Sequence, residues 1–340
     1  MNQSEKRSQI WVWAEHYRGE IARVVLSLLG QARELGQQLG HGEVAAVLVG
    51  ADSPRLSEEL FAYGAERVYL AGRPSLFETE NCADLMTRLI QHYQPEIVLW
   101  GATTLSQDIA ARVAARLGTG LTAHCIDLQL QEMSGKPQLV AMVAGWGGNL
   151  VLKIICPEKR PQMATVKPGI FSLPAPQVRK GEVIFPEEGV DMAPVEPRLD
   201  IVEVVTERGE VSSLEQAAVV VAGGWGLISC GGFKLVAELA QILGGKVGGT
   251  RPALDAGWIS TEQMIGQSGK TIAPQLLITL GVSGAAQFTT SVLNSRFILA
   301  IDKNPKSPIF EMADIGIVGD LQEVLPLLIS RLKAIKGKPP

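Results

Sequence analysis

The chain has 340 residues, 46% hydrophobic and 19% charged, with a formal net charge of −4, which suits two globular domains rather than one. The weak negative charge, with no basic block outside the terminal KAIKGK, argues against nucleic acid as a partner. No apolar run is long enough to span a bilayer, and MNQSEKRSQIW has no signal-like apolar core, so a cytoplasmic protein without membrane insertion is expected.

The first half alternates strand and helix patterns. Ile10–Glu15 reads as an apolar strand. Ile21, Val24, Val25, Leu28, Leu29, Ala32 and Leu35 follow at helical spacing. Strands are expected at Val44–Gly50, Arg67–Ala71 and Glu96–Thr103. Helices are expected at Leu56–Tyr63, Ala83–His92 and Leu105–Leu117. This rhythm predicts a parallel sheet covered on both faces. QLVAMVAG and NLVLKIIC then read as a hairpin around the glycine-rich turn at Gly145–Asn149.

Eight of the 19 prolines fall between Pro157 and Pro197, which predicts extended edge segments and a linker. The joint is placed near Asp200–Val205. That gives an N-terminal domain at residues 1–204, a second domain at 205–330 and a basic tail at 331–340. The second domain predicts strands at Ala217–Gly224, Pro274–Val282, Arg296–Asp302 and Ile315–Asp320. Its helices are expected at GFKLVAELAQIL, stopped by Gly244-Gly245, at SGAAQFTTSVLN with a serine N-cap, and at Leu321–Lys333. The fold class expected is therefore α/β, with two doubly wound domains.

Cys82, Cys125, Cys156 and Cys230 form no CxxC pair, so they read as reduced, packed thiols and no metal site is expected. The histidines, His16, His41, His92 and His124, all lie in the first half. The glycine-rich half therefore has no histidine for acid–base work, and no catalytic side chain is assigned. Trp11, Trp13, Trp100 and Trp146 read as packing or subunit-contact residues.

Three strands of the second domain end in small residues: GGWG after Val221, GVSG after Leu280 and VGD after Ile317. Ligands of open parallel sheets bind at such ends, where bare amides at a helix N-terminus approach phosphate. The GQSGKT loop offers a second nest of amides, two hydroxyls and a lysine. Asp302 and Asp320 follow strands, where a carboxylate holds ribose hydroxyls. Together these describe a site for a phosphate-bearing nucleotide. Neither GxGxxG nor GxxxxGK[ST] is present, so spacing alone leaves NAD, FAD and CoA open.

The blocks GGTRPALDAGW, IGQSGKTIAPQLLITLGVSGAAQF and LAIDKNPKSPIFEMADIGIVGDLQEVLP resemble the alpha subunit of electron transfer flavoproteins in order and spacing. WVWAEHYRGEIA, ATTLSQDIAARVAARLG and ATVKPGIF extend the resemblance more loosely through the first half. The resemblance implies an adenine-nucleotide-hydrolase-like N-terminal domain, serving as scaffold and interface, and a C-terminal FAD-binding domain. It implies pairing with a beta subunit that holds FAD or AMP. The pair would be an electron carrier rather than a stand-alone catalyst. It would pass electrons between dehydrogenases, such as the acyl-CoA dehydrogenases of fatty acid β-oxidation, and a quinone reductase or ferredoxin-type acceptor. Simple carriage and NADH-driven bifurcation both stay open.

Carried over by motif, Arg251 lies near the isoalloxazine ring with Thr250 beside it. Ile265, Gly266, Gln267 and Ser268 line the ring's edge. Ser283, Gly284, Ala285, Ala286 and Gln287 hold the pyrophosphate and ribityl region, and Asp320 and Leu321 enclose the adenosine. Lys270 either adds charge or only caps its loop. Three positions depart from the family pattern: Trp225 for arginine, Phe288 for histidine and Asp302 for asparagine. Two readings of these departures stay open: a flavin semiquinone less stabilised or more dependent on Arg251, or neutral replacement, since apolar walls also suit a flavin ring. Two rival readings are an NAD-dependent oxidoreductase and a non-redox nucleotide-binding regulatory module. The first lacks its glycine fingerprint, since EHYRGE follows the first strand.

Overall fold

The computed structural model describes residues 9–39, 42–50, 54–71, 78–133, 135–145, 150–186, 190, 202–203, 214–230 and 233–336. They divide into two compact units, Met1–Ala144 with Val151–Thr206 and Gly145–Leu150 with Glu207–Pro340. The expected turn at 146–149, Trp146, most of the joint at 200–205 and the tail beyond 336 lie outside the described residues.

The first unit opens with β1 (Gln9–Trp13), a two-stranded ladder of β2 (His16–Tyr17) and β3 (Glu20–Ile21), and α1 (Arg23–Gln38). β4 (Glu43–Val49), α2 (Pro54–Tyr63), β5 (Arg67–Ala71), α3 (Thr79–Tyr93), β6 (Ile97–Gly101) and α4 (Thr104–Leu117) continue the expected alternation. β7 (Leu121–Cys125) and β8 (Asp127–Met133), not anticipated, precede the hairpin strands β9 (Lys136–Ala144) and β10 (Val151–Ile154). β11 (Gln162–Val166) and β12 (Glu182–Ile184) complete the unit.

Seven strands form one all-parallel sheet, β12-β5-β4-β1-β6-β11-β7, and β10-β9-β8 form an antiparallel one. Apolar residues of α1 and α2 cover one face of the large sheet, and those of α3 and α4 the other. Trp11, Trp13 and Trp100 are fully buried on the second face, Trp13 and Trp100 stacked at 5.4 Å. The proline-rich stretch departs from expectation in one respect. β12 is an edge strand, but β11 lies inside the sheet, paired to β6 and β7 and buried throughout. QMATV is a proline-free run between Pro161 and Pro168, so its amides remain free to bond on both sides.

The second unit contains β13 (Val219–Gly223), α5 (Lys234–Leu243), β14 (Lys246–Gly249), α6 (Arg251–Asp255), β15 (Leu276–Leu280), α7 (Ala286–Thr289), β16 (Ile298–Asp302), α8 (Ile309–Met312), β17 (Ile315–Val318) and α9 (Leu321–Lys336). Gly244 closes α5 in the left-handed region, as expected of a glycine stop. β14, KVGG, lacks the apolar alternation that marks a strand in sequence. α9 runs on into the basic tail as far as Lys336. The sheet is all parallel, in the order β14-β13-β15-β16-β17. α5 and α9 pack on one face through Val236, Leu239, Leu321, Leu325 and Ile329. Phe288, Val292 and Ile309 pack on the other. Counted within the unit this is the 2-1-3-4-5 order, whose topological switch point lies between β13 and β15.

The helix expected from Ser283 is corrected. α7 is a single turn whose N-cap is Ala285, with no side-chain cap bond. Gly284 sits at φ +82°, outside helical space, and so separates Ser283 from the turn. At the other end Thr289 and Thr290 both donate their hydroxyls to the Ala286 carbonyl, a local bonding that competes with helix.

Candidate functional site

A cleft of about 670 Å³ opens along the carboxyl ends of the second unit's strands. Its centre is the switch point, where GGWG after β13 meets GVSG after β15. The two loops touch backbone to backbone. The Gly224 amide donates to the Leu280 carbonyl at 2.9 Å and the Gly226 amide to Gly281 at 3.0 Å. A Cβ on Gly224 would lie 2.3 Å from the Gly281 oxygen, and one on Gly281, itself at φ +62°, would lie 2.8 Å from the Gly226 Cα. The glycines are thus needed for close approach of the two loops.

One end of the cleft carries Thr250, Arg251 and Pro252 after β14. The Thr250 hydroxyl is buried and has no hydrogen-bond partner among the described residues. Such an orphan at a cleft wall is costly unless a ligand meets it. Arg251 is exposed and donates through Nε to Asp255 at 2.8 Å. Ile265, Gly266, Gln267 and Ser268 border this end, and Val282, Ser283, Ala285, Gln287 and Phe288 line the middle. At the other end stand Asp302, the last residue of β16, Lys303, Asn304 and Ser307 after it, and Asp320 and Leu321 after β17. Asp302 is only 8% exposed and accepts from the Asn304 amide at 2.8 Å. Asp320 accepts from the Gln322 amide at 2.8 Å, so it also caps α9.

The residues singled out from sequence mostly come together here: Trp225, Thr250, Arg251, Ile265, Gly266, Gln267, Ser268, Ser283, Ala285, Gln287, Phe288, Asp302, Asp320 and Leu321 all line the cleft. Gly284 and Ala286 do not. Gly284 is buried against Ile309, whose amide nitrogen would lie 2.3 Å from an added Cβ. Its function is to let α8 approach.

The GQSGKT loop differs from the amide nest expected of it. The Gly266 amide donates to Lys270, Gly269 to Gly266, Lys270 to Met264 and Gln267 to Gln287, so these four face the protein. Lys270 is 3.7 Å from Glu215 rather than in the cleft, and Thr271 is buried. The exposed Gln267 and Ser268 are the side chains this loop brings to the cleft. Lys303, Asn304 and Ser307 were missed; their signal was position, directly after a strand that already carried a suspected carboxylate.

A two-unit α/β protein with a glycine-lined cleft at the switch point of a parallel sheet has the architecture in which open parallel sheets place their ligands. Comparison with known proteins narrows this. Residues 10–187 match the electron transfer flavoprotein domain, and residues 213–293 match the electron transfer flavoprotein FAD-binding domain. The chain is 42% identical to an electron transfer flavoprotein subunit alpha of Thermoanaerobacterium thermosaccharolyticum over 330 residues, covering 96% of this chain and 98% of the relative. It is 40% identical to one from Megasphaera elsdenii, covering 96% and 97%. It is also 36% identical to the lactate dehydrogenase (NAD(+),ferredoxin) subunit LctC of Acetobacterium woodii, covering 95% and 77%. The chain belongs to the electron transfer flavoprotein alpha-subunit family, whose members pair with a beta subunit. Among the described residues no helix is long and apolar enough to cross a membrane.

Proposed function

We propose that the second unit carries FAD in this cleft and that the chain, paired with a beta subunit, passes electrons between a dehydrogenase and a separate acceptor. The observation that carries the reading is the arrangement of polar groups along the cleft. Arg251 and an unpartnered hydroxyl stand at the β14 end, and two carboxylates, with Lys303 beside them, at the β16–β17 end. A dinucleotide has matching ends: a redox ring that gains negative charge, and a ribose with hydroxyls to donate. Bound there, FAD would supply one- and two-electron redox chemistry.

The chain's own residues bind and orient. Arg251, steadied by Asp255, would hold positive charge beside the ring. Thr250 and Ser268 would hydrogen-bond along its edge. The backbone at Val282, Ser283 and Ala285 would admit the pyrophosphate. Because α7 is one turn, these loop amides rather than a helix dipole would do the anchoring. Asp302 and Asp320 would take ribose hydroxyls. Val151, Leu152 and Ile154 on edge strand β10 are exposed, an apolar surface that suits burial against the beta subunit.

The name of the Acetobacterium woodii relative pairs NAD(+) with ferredoxin. That name favours NADH-linked bifurcation over simple carriage for this chain. The test is the absorption spectrum of the chain co-purified with its own beta subunit during stepwise NADH addition. Two FAD per heterodimer, bleached by NADH, supports bifurcation. One FAD, inert to NADH but reduced through an acyl-CoA dehydrogenase, supports a simple carrier. Absence of flavin overturns the reading.

A further inference from the structure

Trp225 is the one side chain between two glycines that cannot carry one. Gly224 and Gly226 are both pressed on Gly281, and hydrogen bonds on either side fix the loop. The indole therefore projects from a clamped backbone. Trp258 meets it nearly parallel, with ring centroids 5.7 Å apart and planes 15° apart. Trp258 is itself placed by a turn: Gly257 takes φ +72°, and the Trp258 amide donates to the Ala253 carbonyl at 3.0 Å. Phe233 packs behind it at 5.9 Å.

An indole has two faces, and Trp258 covers one of them. Trp225 nevertheless stays 52% exposed and lines the cleft. Leaving a large aromatic face open on a fixed support forgoes apolar burial, so the open face is suited to a planar ligand. Its place in the sheet order decides which part of the ligand it meets. Trp225 follows β13, between β14 and β15, and its partner Trp258 comes just after α6, which carries Arg251, so the pair lies toward the β14 side and away from the carboxylates at the ends of β16 and β17.

Resting on the FAD reading, we propose that the Trp225–Trp258 pair is a preformed stacking platform for the isoalloxazine ring, with Trp225 in van der Waals contact and Trp258 fixing its plane. Aromatic contact replaces cationic contact at this position. It adds affinity for any oxidation state of the ring without favouring its negative charge. Indole is readily oxidised and quenches an excited flavin that it touches, whereas a phenyl ring stacks without quenching.

The test uses the chain co-purified with its beta subunit, in wild-type, W225F, W225A and W258A forms. Bound-flavin emission lifetimes and the Kd for added FAD are both measured. W225F is expected to hold FAD less tightly than the wild type but more tightly than W225A, because a smaller ring still stacks, and to emit brightly. W225A is expected to emit brightly and bind about three- to tenfold more weakly, the loss of one aromatic stack. W258A is expected to weaken binding less and to brighten the flavin partly, because the Trp225 plane loosens. W225F complexes that hold FAD yet stay as dim as wild type overturn the platform. So does a W225A complex with unchanged affinity. A wild-type complex with no flavin sinks the proposed function itself and is distinguishable from either. Any flavin on the beta subunit contributes a constant background across the series.

Discussion

The Arg251 guanidinium donates to the Asp255 carboxylate one turn along α6, at 2.8 Å. Both side chains are largely exposed, so the pair contributes little to stability, about 0.3–0.5 kcal/mol. Its effect is on position and charge at the cleft's β14 end. Arg251→Gln is expected to leave thermal unfolding nearly unchanged and to lower the reduction potential of bound flavin, because a reduced ring gains negative charge. Asp255→Asn is expected to raise the potential, because it removes a carboxylate that offsets the cation. Redox titration of the complex checks both. Shifts of the same sign in the two variants would place the cation elsewhere.

Phe288 is 4% exposed, lines the cleft and packs into the core beneath it. Phe288→His is expected to act on both sides of that wall. Burying an imidazole in an apolar cluster costs about 1–3 kcal/mol, read as a lower unfolding midpoint. A donor facing the ring is expected to increase the share of flavin held in the one-electron-reduced state during titration. An unchanged share would mean that the apolar wall is not what sets the flavin's electronics here.

Much of this site was legible because its determinants are local. Gly244 ending α5, Gly281 where β15 turns, and a carboxylate after β16 each announce themselves within a few residues. What was hidden depends on partners distant in sequence. Nothing in GQSGKT shows that Lys270 turns to Glu215, or that the Gln267 amide is taken by the Gln287 carbonyl. Ser283 has the right residue type for an N-cap, yet Gly284, packed on Ile309 at φ +82°, leaves helical space, so the cap is lost. In the first unit β11 reads as an edge from its prolines, and only pairing with β6 and β7 puts it inside the sheet.

Burial pushes the thiols of Cys82 and Cys125 up from the ordinary value of 9.0 to about 12. The native state keeps both protonated where the unfolded chain ionises them. This contribution to stability is fully present below pH 9.0 and is lost as pH climbs to about 12. Unfolding midpoints are therefore expected to fall through that window, and the fall should shrink in Cys82→Ala compared at each pH with its own neutral value. At pH 8, near the ordinary thiol range, a thiol reagent is expected to label the partly exposed Cys156 and to reach Cys82 and Cys125 only after denaturation. Rapid labelling of Cys82 in the folded chain would contradict the packing of α3.

Gly281 and Gly244 share a left-handed backbone, φ +62° and +67°, but differ in surroundings. A Cβ on Gly244 meets nothing within 4 Å, whereas one on Gly281 lies 2.8 Å from the Gly226 Cα. Gly244→Ala is therefore expected to cost only the backbone penalty, about 1–2 kcal/mol. Gly281→Ala adds overpacking of about 1–3 kcal/mol. It also pushes GGWG from GVSG and so disturbs both the cleft floor and the Trp225 mount. Denaturant unfolding gives the stability difference, and FAD content of the purified complex gives the functional one. Equal destabilisation with equal FAD content would show that the contact between the two loops is not what shapes the cleft. Greater destabilisation with FAD loss confined to Gly281→Ala would locate the cofactor's seat at the switch point itself.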